Sequence, residues 1–336
     1  MNSDHKIRTI VIGFGFMGQT HTGNLLRSRH ATIAAIVDPC PPEERLANVH
    51  GNRDTVFITA SDIAGIPHFV SLDEALQNVT ADAAIVALPT KLHSQAVIKC
   101  LNAGLHVFVE KPFAVEADEC DAMLNAAAMS GKILAVGYVV RAMGAYAKLR
   151  NECISHRLGK LHYMRLTRMT GVPLWGNWSD PEFVRSSGGA LFDLTSHDVD
   201  FARYCLGDPE RITVNNELKK VFNGNMISAV ASFKESKVEF SGGFVLPPAL
   251  PFECGVQAFF ENAAVCISAN GNCYRETRHD GTFCDTFFSG DDPYAVEIEN
   301  FLQAIINNSP TALLCTAEDA ARTAACCREI MLQIQK

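Results

Sequence analysis

The sequence predicts an α/β protein, in which an amino-terminal doubly wound parallel sheet is followed by a carboxyl-terminal α+β domain with a large, mainly antiparallel open sheet. Up to residue 138, short β-branched apolar runs alternate with helical patterns, as they do in chains that build parallel sheets. After residue 138, apolar and polar residues alternate along longer runs, which is typical of antiparallel strands. With 336 residues, the chain also exceeds the length that a single hydrophobic core usually serves. We therefore expect two domains, residues 1–138 and residues 139–336.

Five strands are expected in the first domain. Strands buried on both faces of a parallel sheet need no alternation, so continuous apolar runs between turn signals mark them. These runs are residues 7–12, 32–37, 83–88, 106–109 and 133–137. Helical patterns lie between them, most clearly at residues 19–29, 92–103 and 115–129.

The second domain begins with a helical pattern at residues 145–152 and continues with six strand-like runs. The runs are residues 161–168, 211–218, 226–233, 238–244, 252–259 and 264–268. Two helical patterns, 295–306 and 317–335, end the chain. A sheet of this kind can bury one face against helices and present the other face to a second copy of the chain. We therefore expect a homo-oligomer, either a dimer or a tetramer.

The overall composition is that of a folded protein, with 48% hydrophobic and 20% charged residues. The formal net charge of -8 comes without a basic cluster, so we expect no nucleic acid partner. The sequence contains no apolar run of about 18 residues and no signal-peptide pattern at its amino terminus. We therefore expect a cytoplasmic protein that does not associate with a membrane.

Twelve cysteines are scattered along the chain, without a C-x-x-C pair or zinc-ligand spacing. Most of them lie inside apolar stretches, as Cys266 does between Val265 and Ile267. This pattern is typical of small buried side chains in a reducing compartment. The sequence therefore predicts no metal site.

A glycine-rich turn connects the first predicted strand to the helical pattern that follows it. Its residues match the pattern G-x-G-x-x-G and read Gly13-Phe14-Gly15-Phe16-Met17-Gly18. The first glycine permits the tight turn, the second lets a pyrophosphate approach the backbone, and the third lets helix and strand pack closely. Free N–H groups at the start of the helix can then bind the phosphates. The turn predicts a Rossmann-type dinucleotide site formed by these six residues.

Asp38 ends the second predicted strand, twenty residues after Gly18. A carboxylate at this position can accept hydrogen bonds from both hydroxyls of the adenosine ribose. It would also repel a 2'-phosphate by about 4 kcal/mol per unit charge at an effective dielectric constant of 20. The first basic residue after Asp38 is Arg45, and we expect no nearby arginine to offset the repulsion. The sequence thus predicts NAD as the cofactor rather than NADP.

Two further segments resemble motifs of a known family. One reads Leu88-Pro89-Thr90-Lys91-Leu92-His93, and the other covers residues 103–112 and ends in Glu110-Lys111-Pro112. They resemble T-P-N-x-x-H and G-K-H-V-x-x-E-K-P of the Gfo/Idh/MocA family, which includes glucose-fructose oxidoreductase, inositol dehydrogenase and the rhizopine-catabolism proteins. The resemblance covers nearly the whole chain.

This resemblance implies an oxidoreductase that moves a hydride between a nicotinamide ring and a carbinol carbon of a sugar, cyclitol or related polyol. The residues that it implies for the cofactor cleft are Leu88, Pro89, Thr90, His93, Glu110 and Lys111. Lys111 would also point at the substrate hydroxyl beside the nicotinamide. A lysine at the carboxyl end of a buried parallel strand is costly to desolvate unless such a partner uses its charge.

The second half carries a segment, residues 186–200, that resembles the family pattern G-G-G-x-x-x-D-x-x-x-H. Asp193 and His197 stand four residues apart, so on a helix they would share a face. An imidazole takes and releases protons near neutral pH, which makes His197 the candidate base for the hydroxyl proton. Asp193 would hold substrate hydroxyls or orient the lysine and the imidazole. We expect Lys111, Asp193 and His197 to act on one carbon of the substrate, with Lys111 stabilising the developing carbonyl.

The chain departs from the family pattern at two places. Leu88-Pro89-Thr90 stands where the family has T-P-N, and Ser187 stands where it has a third glycine. Thr90 can still form hydrogen bonds near the cofactor. The changed edge of the pocket leaves the identity of the substrate open.

Five more side chains have two possible roles each. Arg141 matches a family arginine and could face the cofactor or the substrate, or it could form a structural salt bridge. Trp175 and Trp178 could cover the substrate or anchor their loop by packing. Arg165, together with Arg168 on the same predicted strand, could bind an anionic substituent of the substrate or form ion pairs.

Two other functions share the same predicted fold. Related proteins act as glycosidases by transient oxidation with tightly held NAD, and the same residues would serve that reaction. Others are cofactor-bound regulators, which would be expected to lack the lysine or the histidine. Lys111 and His197 are both present, and this favours an enzyme. The fold alone does not decide between these functions.

Overall fold

The computed structural model contains helices and strands both before and after residue 138. It describes residues 6–47, 58–174, 177–222, 225–247, 249–288, 290 and 292–335. None of the helices it describes combines the length and the apolar character needed to cross a membrane. All twelve cysteines are free thiols.

A six-stranded parallel sheet forms in the first half of the chain. Its strands are β1 Ile7–Ile12, β2 Ala31–Val37, β3 His68–Phe69, β4 Ala83–Val86, β5 His106–Glu110 and β6 Leu134–Gly137. They lie in the order β3-β2-β1-β4-β5-β6. The chain therefore winds outward in both directions from β1, which confirms the predicted doubly wound sheet. In such sheets, ligands bind beyond the carboxyl ends of the strands, where the winding direction changes.

The crossover segments between these strands are helical. The helices are α1 Phe16–Arg27, α2 Pro42–Ala47, α3 Ala60–Ile63, α4 Leu72–Asn78, α5 His93–Asn102 and α6 Ala117–Ser130. Parallel strands require such crossovers because a tight turn cannot join two parallel neighbours. The sequence patterns predicted α1, α5 and α6, which are the three longest of this set.

The second half of the chain forms an eight-stranded sheet. Its strands are β7 Leu161–Thr170, β8 Arg211–Val214, β9 Met226–Ser232, β10 Lys237–Phe244, β11 Glu253–Phe260, β12 Ala263–Ser268, β13 Cys273–Arg278 and β14 Phe283–Phe287. The order is β14-β13-β12-β11-β7-β10-β9-β8. Among the strand pairs that the structure describes in this sheet, only β7 and β10 are parallel, so the predicted large, mainly antiparallel sheet is confirmed.

One prediction in this half is wrong. The run 211–218 was expected to be a single strand, but β8 ends at Val214 and a helix follows. The side chain of Asn215 accepts a hydrogen bond from the backbone N–H of Glu217 and thereby caps this helix. The helices of the second half are α7 Gly144–Ser155, α8 Pro181–Ser186, α9 Ser196–Leu206 and α10 Asn216–Val221.

The two faces of the eight-stranded sheet differ in their surroundings. Helices α7 and α9 pack against one face, where β7 buries Met164, Leu166 and Arg168. On the opposite face, Phe283 and Phe287 keep 63% and 71% of their surface exposed. Large apolar side chains are therefore present on an open sheet surface.

Two final helices, α11 Pro293–Ile306 and α12 Ala317–Gln335, complete the chain. The chain divides into a first unit, Met1–Tyr138 with Tyr294–Ala321, and a second unit, Val139–Pro293 with Arg322–Lys336. The first unit thus includes Tyr294–Ala321, which the sequence prediction placed in the second domain, 139–336.

Residues 294–321 group with the first unit because the apolar face of α11 belongs to the core of that unit. Ile298, Phe301 and Leu302 are buried in one hydrophobic cluster with Val11 and Phe108 of the parallel sheet. Burial of large apolar side chains is the dominant favourable contribution to packing, and it assigns α11 to the unit whose core it completes.

Candidate active and cofactor site

The glycine-rich turn contains two glycines that the protein itself requires. Gly13 has a φ of +88°, and a Cβ added there would lie 2.4 Å from the carbonyl oxygen of Ala87. A Cβ on Gly18 would lie 1.9 Å from the carbonyl oxygen of Gly13. The first position therefore closes the turn against the end of β4, and the second lets α1 pack against it.

Gly15 differs from the other two glycines. Its φ of -74° is open to any residue, and a Cβ built there meets no atom within 4 Å. The protein has no internal need for glycine at this exposed position. A ligand that approaches the backbone closely does need it, and the pyrophosphate of a dinucleotide is the ligand that this turn binds in Rossmann folds.

The difference predicts opposite behaviour for two alanine variants. Gly15→Ala is expected to keep the thermal stability of the wild type and to weaken NAD binding by roughly tenfold or more, because the added methyl group occupies space beside the backbone. Gly18→Ala is the matched control and is expected to lose about 1–3 kcal/mol of stability through overpacking. Calorimetric titration and thermal unfolding measure the two effects. Unchanged NAD affinity in Gly15→Ala would contradict the assignment.

The rest of the turn has separate roles. The Phe14 side chain is fully buried with Ile36 and Ile63, and its backbone N–H donates to Asp38 Oδ2 at 2.8 Å. Phe16 and Met17 begin α1 and are partly exposed. Phe14 therefore anchors the turn through its buried side chain, whereas Phe16 and Met17 lie at the partly exposed start of the helix.

Asp38 is buried directly after β2 and has more contacts than the sequence predicts. Its Oδ1 atom accepts from the backbone N–H of Cys40 and from Arg45 Nε, both at 2.9 Å. The expectation that no arginine lies near enough to offset the charge of Asp38 is wrong. Helix α2 begins at Pro42 and brings Arg45 back toward the strand end, a return that linear spacing does not reveal.

His93 connects the loop after β4 to the loop after β5. Its Nδ1 lies 3.0 Å from the carbonyl oxygen of Pro112 and its Nε2 lies 2.8 Å from that of Leu88. The ring is 1% exposed, and burial lowers the pKa of His93 despite the two carbonyl contacts. The predicted cofactor residue His93 is therefore buried and connects the two loops through hydrogen bonds. Thr90 begins a short 3-10 turn between Leu88 and His93.

Glu110, the last residue of β5, points into the protein. Its Oε1 lies 2.7 Å from Nε2 of the fully buried His21 on α1, and its Oε2 accepts from the backbone N–H of Lys111. Ligand atoms of His21, Glu110 and the buried Glu297 of α11 lie within 4.8 Å of one another, so these three residues could hold a metal ion. The sequence predicted no metal and did not identify His21, because nothing in the spacing of α1 indicates a partner on β5.

The first unit thus gathers most of its predicted site residues at one edge of the parallel sheet. The Gly13 turn follows β1, Asp38 follows β2, Leu88 and Pro89 follow β4, and Lys111 follows β5. Because the strands are parallel, these carboxyl ends lie side by side. This edge is where doubly wound sheets bind ligands.

In the second unit, the segment with Asp193 and His197 forms a continuous helix with an irregular start. Residues Leu191–Thr195 are π-helical, and α9 continues from Ser196. Asp193 is partly exposed and His197 is 9% exposed. Because a π-turn has a wider repeat than an α-helix, the α-helical same-face argument does not apply directly to this pair. Single π-turns are frequent at functional sites.

Two glycine positions let this helix begin where it does. Gly188 has a φ of +77°, and a Cβ there would lie 2.4 Å from Phe192. On the sheet, a Cβ at Gly242 would lie 2.8 Å from the carbonyl oxygen of Arg168 and 3.0 Å from Thr195 Oγ1. Glycine at position 188 therefore lets the chain turn into the helix, and glycine at position 242 permits a close approach of the helix to β7 and β10.

Two buried ion pairs fix α9 in the second unit. Arg168 on β7 donates through Nε and Nη2 to Asp198 Oδ1 at 3.2 and 3.0 Å. Arg141 donates through Nε and Nη2 to the two oxygens of Asp200 at 2.8 and 2.7 Å. Asp198 and Asp200 lie one and three residues after His197 on the helix, so both pairs constrain the segment that carries His197.

Arg141 therefore has the structural role that was one of its two alternatives. It is 2% exposed, and its guanidinium also lies over the ring of Tyr204, 4.3 Å from the centroid. Its assignment to the cofactor site is not supported by these contacts. The charge of Arg141 is already compensated by Asp200, which the sequence could not pair with it.

The other candidate substrate residues also have protein partners. Arg165 lies on the exposed face of the sheet, with Nη2 3.1 Å from Glu239 Oε2. The ring of Trp178 packs edge-on against Phe183 and Phe244. These contacts are those of an ion pair and a loop anchor. Trp175 lies outside the described residues.

Comparison with known proteins gives two matching models of one family. The model described as the oxidoreductase family with an NAD-binding Rossmann fold matches residues 7–138. The model of the GFO/IDH/MocA C-terminal domain matches residues 146–248. Together the two models match more than half of the chain.

Individual relatives show a more partial match. Scyllo-inositol 2-dehydrogenase (NAD(+)) of Bacillus subtilis is 31% identical over 206 residues, which are 61% of this chain and 55% of that relative. Myo-inositol 2-dehydrogenase of Thermotoga maritima is 30% identical over 235 residues, 68% of this chain and 65% of that relative. The matched part of this chain thus spans less than two thirds of either protein.

A solved structure extends the similarity of fold to nearly the full length. UDP-N-acetylglucosamine 3-dehydrogenase of Acidithiobacillus ferrooxidans superposes with a TM-score of 0.79 at 21% identity, and the match covers 98% of both chains. At this identity the superposition speaks for the fold alone.

Proposed function

Because the chain belongs to the GFO/IDH/MocA family of oxidoreductases with an NAD-binding Rossmann fold, we propose that it transfers a hydride between a nicotinamide ring and a carbinol carbon of a sugar, cyclitol or related polyol. The observation that carries this proposal is Gly15. Its open Cβ position and unstrained backbone leave a close-approaching ligand as the reason for glycine.

The residues at the edge of the parallel sheet fit a dinucleotide. Gly13, Gly15 and Gly18 would let the pyrophosphate reach the backbone N–H groups at the start of α1. Asp38 would accept a hydrogen bond from the adenosine ribose, and Leu88, Pro89 and Thr90 would border the bound molecule. When bound, NAD supplies the acceptor or donor of the hydride. The name of the Bacillus subtilis relative supports NAD as a cofactor.

The chain's own side chains would handle the proton and the oxygen of the substrate. His197 would take the hydroxyl proton as the C–H bond gives up its hydride and the C–O bond becomes a carbonyl. The ammonium group of Lys111 would stabilise the negative charge that develops on that oxygen. Asp193 would bind a neighbouring hydroxyl. The position of Lys111 directly after β5 and the double anchoring of α9 support these roles.

Cyclitols and sugars are the proposed substrate class. Both relatives are named as inositol dehydrogenases, and inositols are cyclitols. A panel of cyclitols, sugars, sugar acids and nucleotide sugars, assayed by nicotinamide absorbance, tests the proposal. We expect at least one polyol to give NADH at a rate that Lys111→Ala abolishes.

Two other results, obtained when glycosides are added to the panel and NAD binding is measured by calorimetry, would contradict dehydrogenase function. Cleavage of a glycoside without net NADH formation would support the glycosidase that oxidises transiently. Tight NAD binding without turnover of any member would support a cofactor-bound regulator.

The second unit and the cysteines also bear on the biological setting. The open face of the second unit, with Phe259, Phe283 and Phe287 exposed, supports a homo-oligomer. Twelve free thiols support a reducing compartment such as the cytoplasm.

A further inference from the structure

The carboxylate of Asp38 is already largely occupied by donors from the protein. Oδ1 accepts two hydrogen bonds, from Cys40 N and Arg45 Nε, and Oδ2 accepts one, from Phe14 N. A carboxylate oxygen has two lone pairs, so Oδ1 has none left and Oδ2 retains one. Asp38 therefore offers one acceptor position to a ribose, whereas binding both ribose hydroxyls uses two.

The charge of Asp38 is also compensated. Arg45 Nε lies 2.9 Å from Oδ1, and the Arg45 side chain is 40% exposed whereas that of Asp38 is 5% exposed. The guanidinium thus forms the outer, accessible part of the pair. A group that binds beside Asp38 meets a positive and a negative charge together, and their effects on a phosphate have opposite signs.

The arrangement of Arg45 suits recognition of a phosphate. A guanidinium presents several N–H groups in a planar fork that matches phosphate oxygens. Its Nε is held by Asp38, and its backbone N–H donates to the carbonyl oxygen of Pro41 at 3.3 Å. The fork is therefore positioned before any ligand arrives, which lowers the entropy cost of binding.

We infer that Arg45 determines cofactor specificity at the adenosine end of the site, by binding a 2'-phosphate beside Asp38, so that the chain takes NADP as well as NAD. The inference rests on the proposed dinucleotide function of the first unit. It reverses the exclusion of NADP that Asp38 alone predicts. Binding of the 2'-phosphate depends on Arg45, because Asp38 without Arg45 would repel the phosphate.

Direct binding of nucleotide fragments tests the inference without any substrate. ADP and 2',5'-ADP are titrated calorimetrically into the full chain and into Arg45→Ala. For the wild type, we expect dissociation constants for the two fragments within about tenfold of each other. Because a charge-assisted hydrogen bond contributes about one to two factors of ten, Arg45→Ala is expected to weaken 2',5'-ADP roughly 10- to 100-fold and ADP less than about threefold.

Two more variants sharpen the test. Arg45→Lys keeps the charge but loses the fork, and its affinity for 2',5'-ADP is expected to lie between those of the wild type and Arg45→Ala. Arg29→Ala removes an exposed arginine at the opposite end of β2 from Asp38 and is expected to bind both fragments as the wild type does. Thermal unfolding confirms that each variant is folded.

The inference is overturned if the wild type binds 2',5'-ADP more than about 100-fold more weakly than ADP, or if Arg45→Ala changes both affinities equally. Weak binding of both fragments would refute the dinucleotide site itself. Normal binding of both, together with no turnover in the polyol panel, would leave the assignment of Arg45 intact and count against the dehydrogenase function alone.

Discussion

Replacing His197 with Gln or Lys111 with Met is expected to reduce kcat on the true substrate by about 10²- to 10⁴-fold. A positioned base and a positioned cation each act on charge that appears only as the C–H and O–H bonds break. Their removal should therefore lower kcat more than it raises KM. NAD affinity should change little in either variant, because the proposed contacts of the cofactor with the glycine turn and Asp38 remain.

The two variants remove different parts of the proposed mechanism. His197→Gln removes the group that takes the hydroxyl proton, whereas Lys111→Met removes the charge that stabilises the developing carbonyl oxygen. The matched controls are His162→Ala and Lys237→Met, which remove an exposed histidine and an exposed lysine of the eight-stranded sheet. Near-normal kcat in both His197→Gln and Lys111→Met would refute the mechanism.

The parallel sheet could be predicted because turn residues in the sequence mark where its strands end. Gly13 ends β1 and Asp38 follows β2, so the apolar runs between turn residues appear directly in the sequence. Strand β3 could not be found in this way, because two residues are too few to form a pattern. The run that includes β8 was extended too far, since the cap supplied by Asn215 competes with the strand only in its local three-dimensional context.

The residues of the candidate site could be named from motifs, but their partners could not. His21 meets Glu110 across 89 positions of sequence, and Arg141 meets Asp200 across 59. Such contacts depend on how helices and strands pack, and a motif describes only one side of each contact. The same limit applied to Arg45, where a short helix turned the chain back toward Asp38.

Asp200→Ala is expected to give the largest loss of stability among single changes in the second unit, about 3–5 kcal/mol. Asp200 is fully buried and accepts hydrogen bonds from Arg141 and from Thr323 Oγ1. Removing it leaves the Arg141 guanidinium, 2% exposed, without its main counter-charge in a region of low dielectric constant. An uncompensated buried charge costs far more than the net contribution of the intact pair.

An exposed ion pair provides the control for this effect. Glu182 and Arg185 form a pair at 2.6 Å in which the side chains are 64% and 75% exposed. Glu182→Ala is expected to cost less than about 1 kcal/mol, because solvent screens the pair and hydrates the arginine that remains. Urea unfolding of the wild type and both variants measures the difference.

The comparison also separates the anchoring of α9 from the chemistry of His197. Asp200 lies three residues after His197, so loss of the Arg141 pair should let the helix start move and lower kcat as well as stability. Asp200→Asn keeps a hydrogen-bond acceptor for Arg141 and is expected to recover part of both losses. If Asp200→Ala and Glu182→Ala unfolded at the same urea concentration, the buried pair would contribute no more than a surface pair, and α9 would have to be held by apolar packing alone.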